Sequence, residues 1–359
     1  MKIGNICPYT GPVAAVGLGM RNSMDLHIRQ ANASGKFPEY NIQLVALDDA
    51  SDPATGVSMA TKLGSDPDVI GVSAHFNSPV ALATVHIFHR FGLANVLSNT
   101  VHPDVILGND YKEITRIVAD VTTEQAFGGN FVIGKYGYRS WCVIHDTTAW
   151  GKTRLEWFKK DLENRSGTKI LSVDGVTVGT KDFRPLLTKI KALKPDAIFS
   201  ALGIQEGSLL KIQMHELGMD NTLFYGPSAI DSDTFIEIAG KAAEGVVVIG
   251  MPYTSPESEF AKAYKAAGYA EPYESYGPFA YDAAGIMLEG LRRFGPSRQA
   301  IVNYVADPKF EYNGVTGLIK LKNRQTMTGG LTMKVCQDGK WIPFEKSEYA
   351  TGKRKFPGK

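Results

Sequence analysis

Short apolar runs alternate with longer amphipathic stretches along most of this chain, and that alternation limits the fold more than any other feature. Residues 2–7, 41–47, 69–73 and 94–97 read as strands, and residues 20–33, 53–63 and 79–91 between them as helices. Strands this apolar are buried on both faces, so the pattern predicts a parallel sheet covered by helices. The pattern restarts after about residue 120. Strands are expected at 140–145, 170–176, 196–200, 222–225 and 245–249, and helices at 125–137, 153–163, 183–192, 207–218 and 234–239. Asp182 stands where it would cap the helix at 183.

After residue 251 the texture changes. Helices are expected at 257–267, 279–294 and 297–305, then antiparallel strands at 315–321, 331–336 and 340–344, the last two joined by a hairpin turn at Asp338-Gly339. A length of 359 residues suits two domains. The expected architecture is α/β, with two doubly wound lobes joined by three crossings near 118–123, 249–254 and 324–329. The first lobe is discontinuous, 1–119 with 253–325. The second holds 120–252 with 326–350, and residues 351–359 form a frayed basic tail.

Composition excludes several classes. Lys+Arg 39 against Asp+Glu 37 leaves a net charge of +2, which does not suit a chain built to coat nucleic acid. No apolar run approaches the ~18 residues of a membrane span, so the chain reads as soluble. Cys7, Cys142 and Cys336 lie far apart in strand-like stretches and read as small buried hydrophobes, with one bridge plus a free thiol as the alternative. The chain enters a strand directly after Met1, without a leader. It is therefore either cytosolic or a mature form carrying an added Met.

Enzyme motifs are poor. Gly17-Leu18-Gly19 lacks the third glycine of a dinucleotide fingerprint and reads as a turn. Gly71-Val72-Ser73-Ala74-His75 fails as a nucleophile elbow, because His75 stands where the second glycine must be. His86 and His89 share a helix without a third metal ligand. His215-Glu216 lacks the second His of a zinc helix, and His145-Asp146 has no nucleophile near it. No catalytic residue, metal site or cofactor is expected.

The strand ends carry small polar residues instead. They are Asn77-Ser78 after the strand at 69–73, Ser98-Asn99-Thr100 after 94–97, 146–151 with Trp150-Gly151 after 140–145, and Gly226-Pro227-Ser228 after 222–225. Hydroxyls and free N–H groups at helix starts suit an anion or carboxylate, and an aromatic beside them supplies a wall. Four such loops predict a polar cleft without a catalytic pair.

Over nearly its whole length the sequence resembles the periplasmic leucine/isoleucine/valine-binding proteins of branched-chain amino-acid ABC transporters, which have the type I periplasmic fold. The resemblance is carried by Tyr9-Thr10-Gly11-Pro12, the run from Asp48 to Pro53, Val69-Ile70-Gly71, Arg116 with Gln125, Asp146 with Trp150-Gly151, Asp182-Phe183 and Ala243-Glu244-Gly245. Several amino-acid-binding members of the family hold the ligand's ammonium with an acid after the G-P turn, where this chain has Ser228. They place an Asp three before the crossing glutamine, where this chain has Thr122 with Asp120 close by. Some bridge two cysteines at the positions of Ser51 and Asn77.

The resemblance implies a solute-binding protein of an ABC uptake system, periplasmic, monomeric, delivering its ligand to a membrane permease and doing no chemistry. The ligand carboxylate would meet Ser78 and Thr100 through hydroxyl and N–H groups. Trp150 and Tyr276 would form walls, with Asn77, Asn99, Thr122, Gly203 and Ser228 lining the remainder of an inter-lobe cleft that closes by hinge motion. The ligand is an amino acid or an organic or aromatic acid. An ammonium, if present, would fall to Asp120, Glu206 or backbone carbonyls. The alternative function is a cytosolic ligand-sensing regulator on the same fold.

Overall fold

The computed structural model describes residues 1–251, 254–326 and 330–359. The chain divides into two compact units, Met1–Asp120 with Thr254–Gly330, and Val121–Tyr253 with Leu331–Lys359. Parts of two expected crossings, at 252–253 and 327–329, lie outside the described residues.

The first unit opens with β1 (Lys2–Cys7), α1 (Ala14–Ala33), β2 (Gln43–Asp48), α2 (Pro53–Ser65), β3 (Val69–Ala74), α3 (Ser78–Arg90), β4 (Ala94–Leu97), α4 (Asp104–Leu107) and β5 (Ile114–Arg116). The second unit follows with α5 (Val121–Gly129), β6 (Ser140–Asp146), α6 (Ala149–Glu163), β7 (Lys169–Val176), α7 (Arg184–Leu193), β8 (Ala197–Ala201), α8 (Ile204–Glu216), β9 (Leu223–Gly226), α9 (Asp233–Ala239) and β10 (Val247–Gly250). The chain returns to the first unit for α10 (Glu259–Ala267), α11 (Gly277–Phe294), α12 (Arg298–Ala306), β11 (Glu311–Gly314), β12 (Gly317–Lys322) and β13 (Gln325–Thr326). It ends in the second with β14 (Thr332–Gln337) and β15 (Lys340–Pro343).

Each unit is built on one sheet. In the first the order is β11-β12-β13-β5-β4-β3-β1-β2, and in the second β15-β14-β10-β9-β8-β6-β7. The runs β2-β1-β3-β4-β5 and β7-β6-β8-β9-β10 are parallel, and each reverses direction of travel once, at β1/β3 and at β6/β8. Such a reversal opens a crevice beyond the carboxyl ends of the two strands, where ligands of this architecture sit. The strands are buried on both faces. Trp141 and Val143 of β6 enter one core with Phe158, Phe199 and Tyr225, while Cys142 and Ile144 enter another with Phe183, Ile198 and Phe224. All three cysteines are buried and free. Among the described residues no helix is long and apolar enough to cross a membrane.

The structure corrects the sequence reading in three places. Gly17 is no turn glycine but lies inside α1, where a Cβ would come 2.0 Å from the Pro8 carbonyl oxygen. Its lack of a side chain lets the helix press onto the loop after β1. Asp182 does not cap α7. Phe183 holds that position, and Asp182 accepts from the Arg184 N–H from one residue further out. The tail at 351–359 is not frayed. Phe356 is 5% exposed and packs against Phe344, Tyr136 and Tyr349. Tyr138 donates to the Pro357 carbonyl, and Arg354 pairs with Glu244, Asp338 and Glu348.

Candidate functional site

In the first unit the β3–α3 turn follows the carboxyl end of β3, beside the point where the strand order reverses. Asn77 is the N-cap residue of α3 but its side chain makes no capping bond, and Ser78 is the first helical residue. Among the described residues the Ser78 hydroxyl has no protein partner, and the buried Asn77 Oδ1 has none either. The first turn of a helix carries unsatisfied N–H groups and a positive dipole end. Hydroxyl and N–H donors thus converge at Ser78.

The loop after β4 is stitched to this turn. Thr100 Oγ1 donates to the His75 carbonyl at 2.7 Å, Asn99 Nδ2 donates to the Phe76 carbonyl at 3.1 Å, and the hydroxyls of Ser73 and Ser98 lie 2.9 Å apart. The Thr100 hydroxyl proton is therefore spent inside the protein, which corrects the expectation that it would reach a ligand carboxylate. Its backbone N–H is the group left to donate. Behind the loop, the fully buried Arg116 donates to the carbonyls of Thr100 and His102, to Asp120 at 3.3 Å and to Gln325 at 2.5 Å. Asp120 is thus held by a cation of its own unit. Tyr276 precedes α11 and meets Phe76 edge-on at 5.9 Å, so Asn77, Ser78, Asn99, Thr100 and Tyr276 are gathered around one turn.

A buried pair anchors the same turn from the other side. His75 Nδ1 lies 2.8 Å from Asp49 Oδ2, with neither side chain exposed. Burial holds the His75 imidazole below its ordinary range, against the opposing pull of the Asp49 hydrogen bond. The imidazole is neutral at pH 7, donating from Nδ1. The pair joins the segment after β2 to the β3–α3 turn, the two segments that hold Ser51 and Asn77. Sequence reading assigned this pair no role.

The second unit places its residues at four points, on α6, before α8, on α5 and after β9. Thr148 caps α6, accepting from the Gly151 N–H, and Trp150 follows half-buried. Gly151 is required there, since a Cβ would lie 2.3 Å from the Asp146 carbonyl oxygen. Arg154, one turn beyond Trp150, sets its guanidinium 5.5 Å from the indole. Gly203 precedes α8, and Glu206 one turn later accepts from the Gly179 N–H at 2.7 Å. Thr122 is half-buried in the first turn of α5.

Ser228, after β9, is 1% exposed and donates to Glu124 Oε1 at 2.7 Å. The other oxygen of Glu124 accepts from Arg154. Ser228 was expected to offer a free hydroxyl, and its proton is instead taken by a buried acid. Nothing in the sequence reading used Glu124 or Arg154. The signal available was an acid directly before Gln125 in the crossing. The Gln125 amide and the Tyr225 hydroxyl are buried close to these elements without a partner among the described residues. The arrangement can hold and orient a ligand.

The amino-acid sequence matches the family model described as "Periplasmic binding protein" over residues 1–340. It is 31% identical over 356 residues to the "Leu/Ile/Val-binding protein homolog 2" of Brucella abortus, covering 96% of this chain and 94% of that one. Two solved structures share the fold at lower identity. The branched-chain amino acid transporter substrate binding protein of Streptococcus pneumoniae, in complex with isoleucine, has a TM-score of 0.82 and 21% identity, covering 95% of this chain and 97% of that one. A solute binding protein of an R. palustris ABC transporter, in complex with 4-hydroxybenzoate, has a TM-score of 0.81 and 18% identity, covering 96% and 95%.

Proposed function

The chain belongs to the periplasmic binding protein family, and on that premise we propose that it captures a small monocarboxylic acid whose far end carries no charge. The family consists of substrate-binding proteins of ABC transporters, not enzymes, and it is periplasmic. The cytosolic regulator reading has no support among the relatives named above.

The observation that carries the proposal is the free Ser78 hydroxyl at the start of α3, beside the Thr100 N–H. These donors suit a carboxylate, and the helix dipole adds to them. Asn77 and Asn99 shape the same loop. Trp150 and Tyr276 give flat walls for an apolar or aromatic body, and Thr122, Gly203 and Ser228 line the remainder. One ligand engages both units and draws them together, which presents the loaded protein, as a monomer, to a membrane permease. A neutral far end follows from the acids. Asp120 and Glu124 are each paired with an arginine of their own unit, so neither is a spare partner for a buried ammonium.

A calorimetric titration with matched pairs tests this. Leucine is compared with 4-methylpentanoate, and phenylalanine with 3-phenylpropanoate, alongside benzoate and 4-hydroxybenzoate. The expected result is binding of at least one acid without an amino group, tighter than its amino-acid counterpart. Tight leucine binding abolished by removing the amino group would overturn the neutral-end reading. Glu206→Gln would then show whether Glu206 holds the ammonium.

A further inference from the structure

Among the described residues Glu124 and Arg154 form the most deeply buried ion pair of the second unit, 0% and 1% exposed as side chains. A buried charge pair is costly to desolvate and adds little to stability compared with well-packed apolar residues, so its presence calls for another reason. Two observations supply one. First, the pair is flanked by two residues of the proposed ligand surface. Ser228 donates to Glu124 at 2.7 Å, and the Trp150 indole lies 5.5 Å from the Arg154 guanidinium. Secondly, the pair is unevenly satisfied. Both Glu124 oxygens are occupied, whereas the buried Arg154 Nε has no acceptor among the described residues. The cluster therefore holds a donor in excess, and its carboxylate has no oxygen without a donor.

We infer that Arg154 is a specificity-determining residue: by occupying the Glu124 carboxylate it turns an acid that would attract an ammonium into a neutral pole, and so excludes α-amino acids in favour of their uncharged-end counterparts. This rests on the proposed carboxylate-binding function and assigns its selectivity to one residue. An ammonium brought to this pole would meet a guanidinium and an acid already neutralised. An apolar, hydroxyl or carbonyl end would meet no charge to oppose. Of the other buried acids of the unit, Asp231 is paired with Lys334 at 2.6 Å, and Asp146 is engaged at the start of α6, where it accepts from the Thr148 N–H and hydroxyl.

The experiment titrates leucine and 4-methylpentanoate, and phenylalanine and 3-phenylpropanoate, into the wild type, Arg154→Met and Arg154→Met/Glu124→Gln. Removing only the guanidinium frees Glu124, and the preference should move toward the amino acid by about tenfold or more in the ratio of dissociation constants. Removing both charges restores a neutral pole and should return the ratio to that of the wild type. Glu124→Gln alone leaves Arg154 unpaired and should raise the affinity for adipate relative to 4-methylpentanoate. That variant decides the matter should Arg154→Met not fold. A folded Arg154→Met with an unchanged ratio overturns the inference while leaving carboxylate binding intact, as does a Glu124→Gln without gain for adipate. A wild type that binds none of these carboxylates overturns the functional reading itself.

Discussion

Ser78→Ala and Thr100→Val remove one hydroxyl each from the same corner of the first unit, and the structure assigns them opposite consequences. Among the described residues the Ser78 hydroxyl has no partner, and the N-cap position of α3 belongs to Asn77. Losing it removes a hydrogen bond to a charged ligand group, worth about 1.5–3 kcal/mol, or roughly 10- to 150-fold in affinity. The unliganded protein should keep its stability to within about 0.5 kcal/mol. The Thr100 hydroxyl is fully buried and donates to the His75 carbonyl at 2.7 Å. Valine there leaves that carbonyl without its donor, at a cost of about 1–3 kcal/mol in stability. Affinity should fall only as far as the β3–α3 turn loosens, because the Thr100 N–H survives the change. Scanning calorimetry of the unliganded variants, beside titration with the tightest acid of the panel, reads both quantities. If Ser78→Ala bound as tightly as the wild type, the carboxylate would not be at α3 and the ligand loops would be misassigned.

Three further outcomes are expected. Burial lowers the His27 imidazole to about 4, and lowers His75 too, both from an ordinary 6.5. The unfolded chain therefore binds more protons than the folded one below about pH 6.5. The stability His27 contributes is complete above that pH and is lost as pH falls toward 4, by on the order of 3 kcal/mol, and His75 acts in the same direction. A urea midpoint that does not drop between pH 7 and pH 5 would count against this. Phe356→Ala should cost about 3–5 kcal/mol, since the ring is buried among four aromatics; an unchanged melting temperature would mean the tail does not hold its place in solution. Saturating ligand should reduce the radius of gyration in small-angle scattering, and an identical value with and without ligand would argue against closure.

The alternation of strand and helix was legible because a parallel strand buried on both faces needs no information beyond its own apolar residues. Polar or edge elements were not. β11 (Glu311–Gly314) was missed because it alternates exposed and half-buried residues and pairs with one neighbour only. The tail was misread because Phe356 is held by aromatics at 131–138 and 344–349, contacts that leave no periodic trace in a nine-residue basic segment.

Polar loops after the strands could be picked out from sequence because hydroxyl and amide residues after an apolar run announce themselves. Their free valences could not. Thr100 and Ser228 look alike as donors in the sequence, yet one is spent on a carbonyl 25 residues away and the other on a carboxylate 104 residues away. Ser78, of the same chemical type, is spent on no group among the described residues. Charge follows the same logic. With Ser228 and Thr122 at the positions of the resembling family's acids, the far pole of the proposed ligand surface reads as lacking an acid, and Glu124 supplies one after all. That acid would have argued for an ammonium had Arg154, thirty positions on, not reached it. What a ligand meets at this pole is therefore set by the sum of a pair whose members lie on two helices. Selectivity can change by substitution at Arg154 while every residue expected to touch the ligand stays the same.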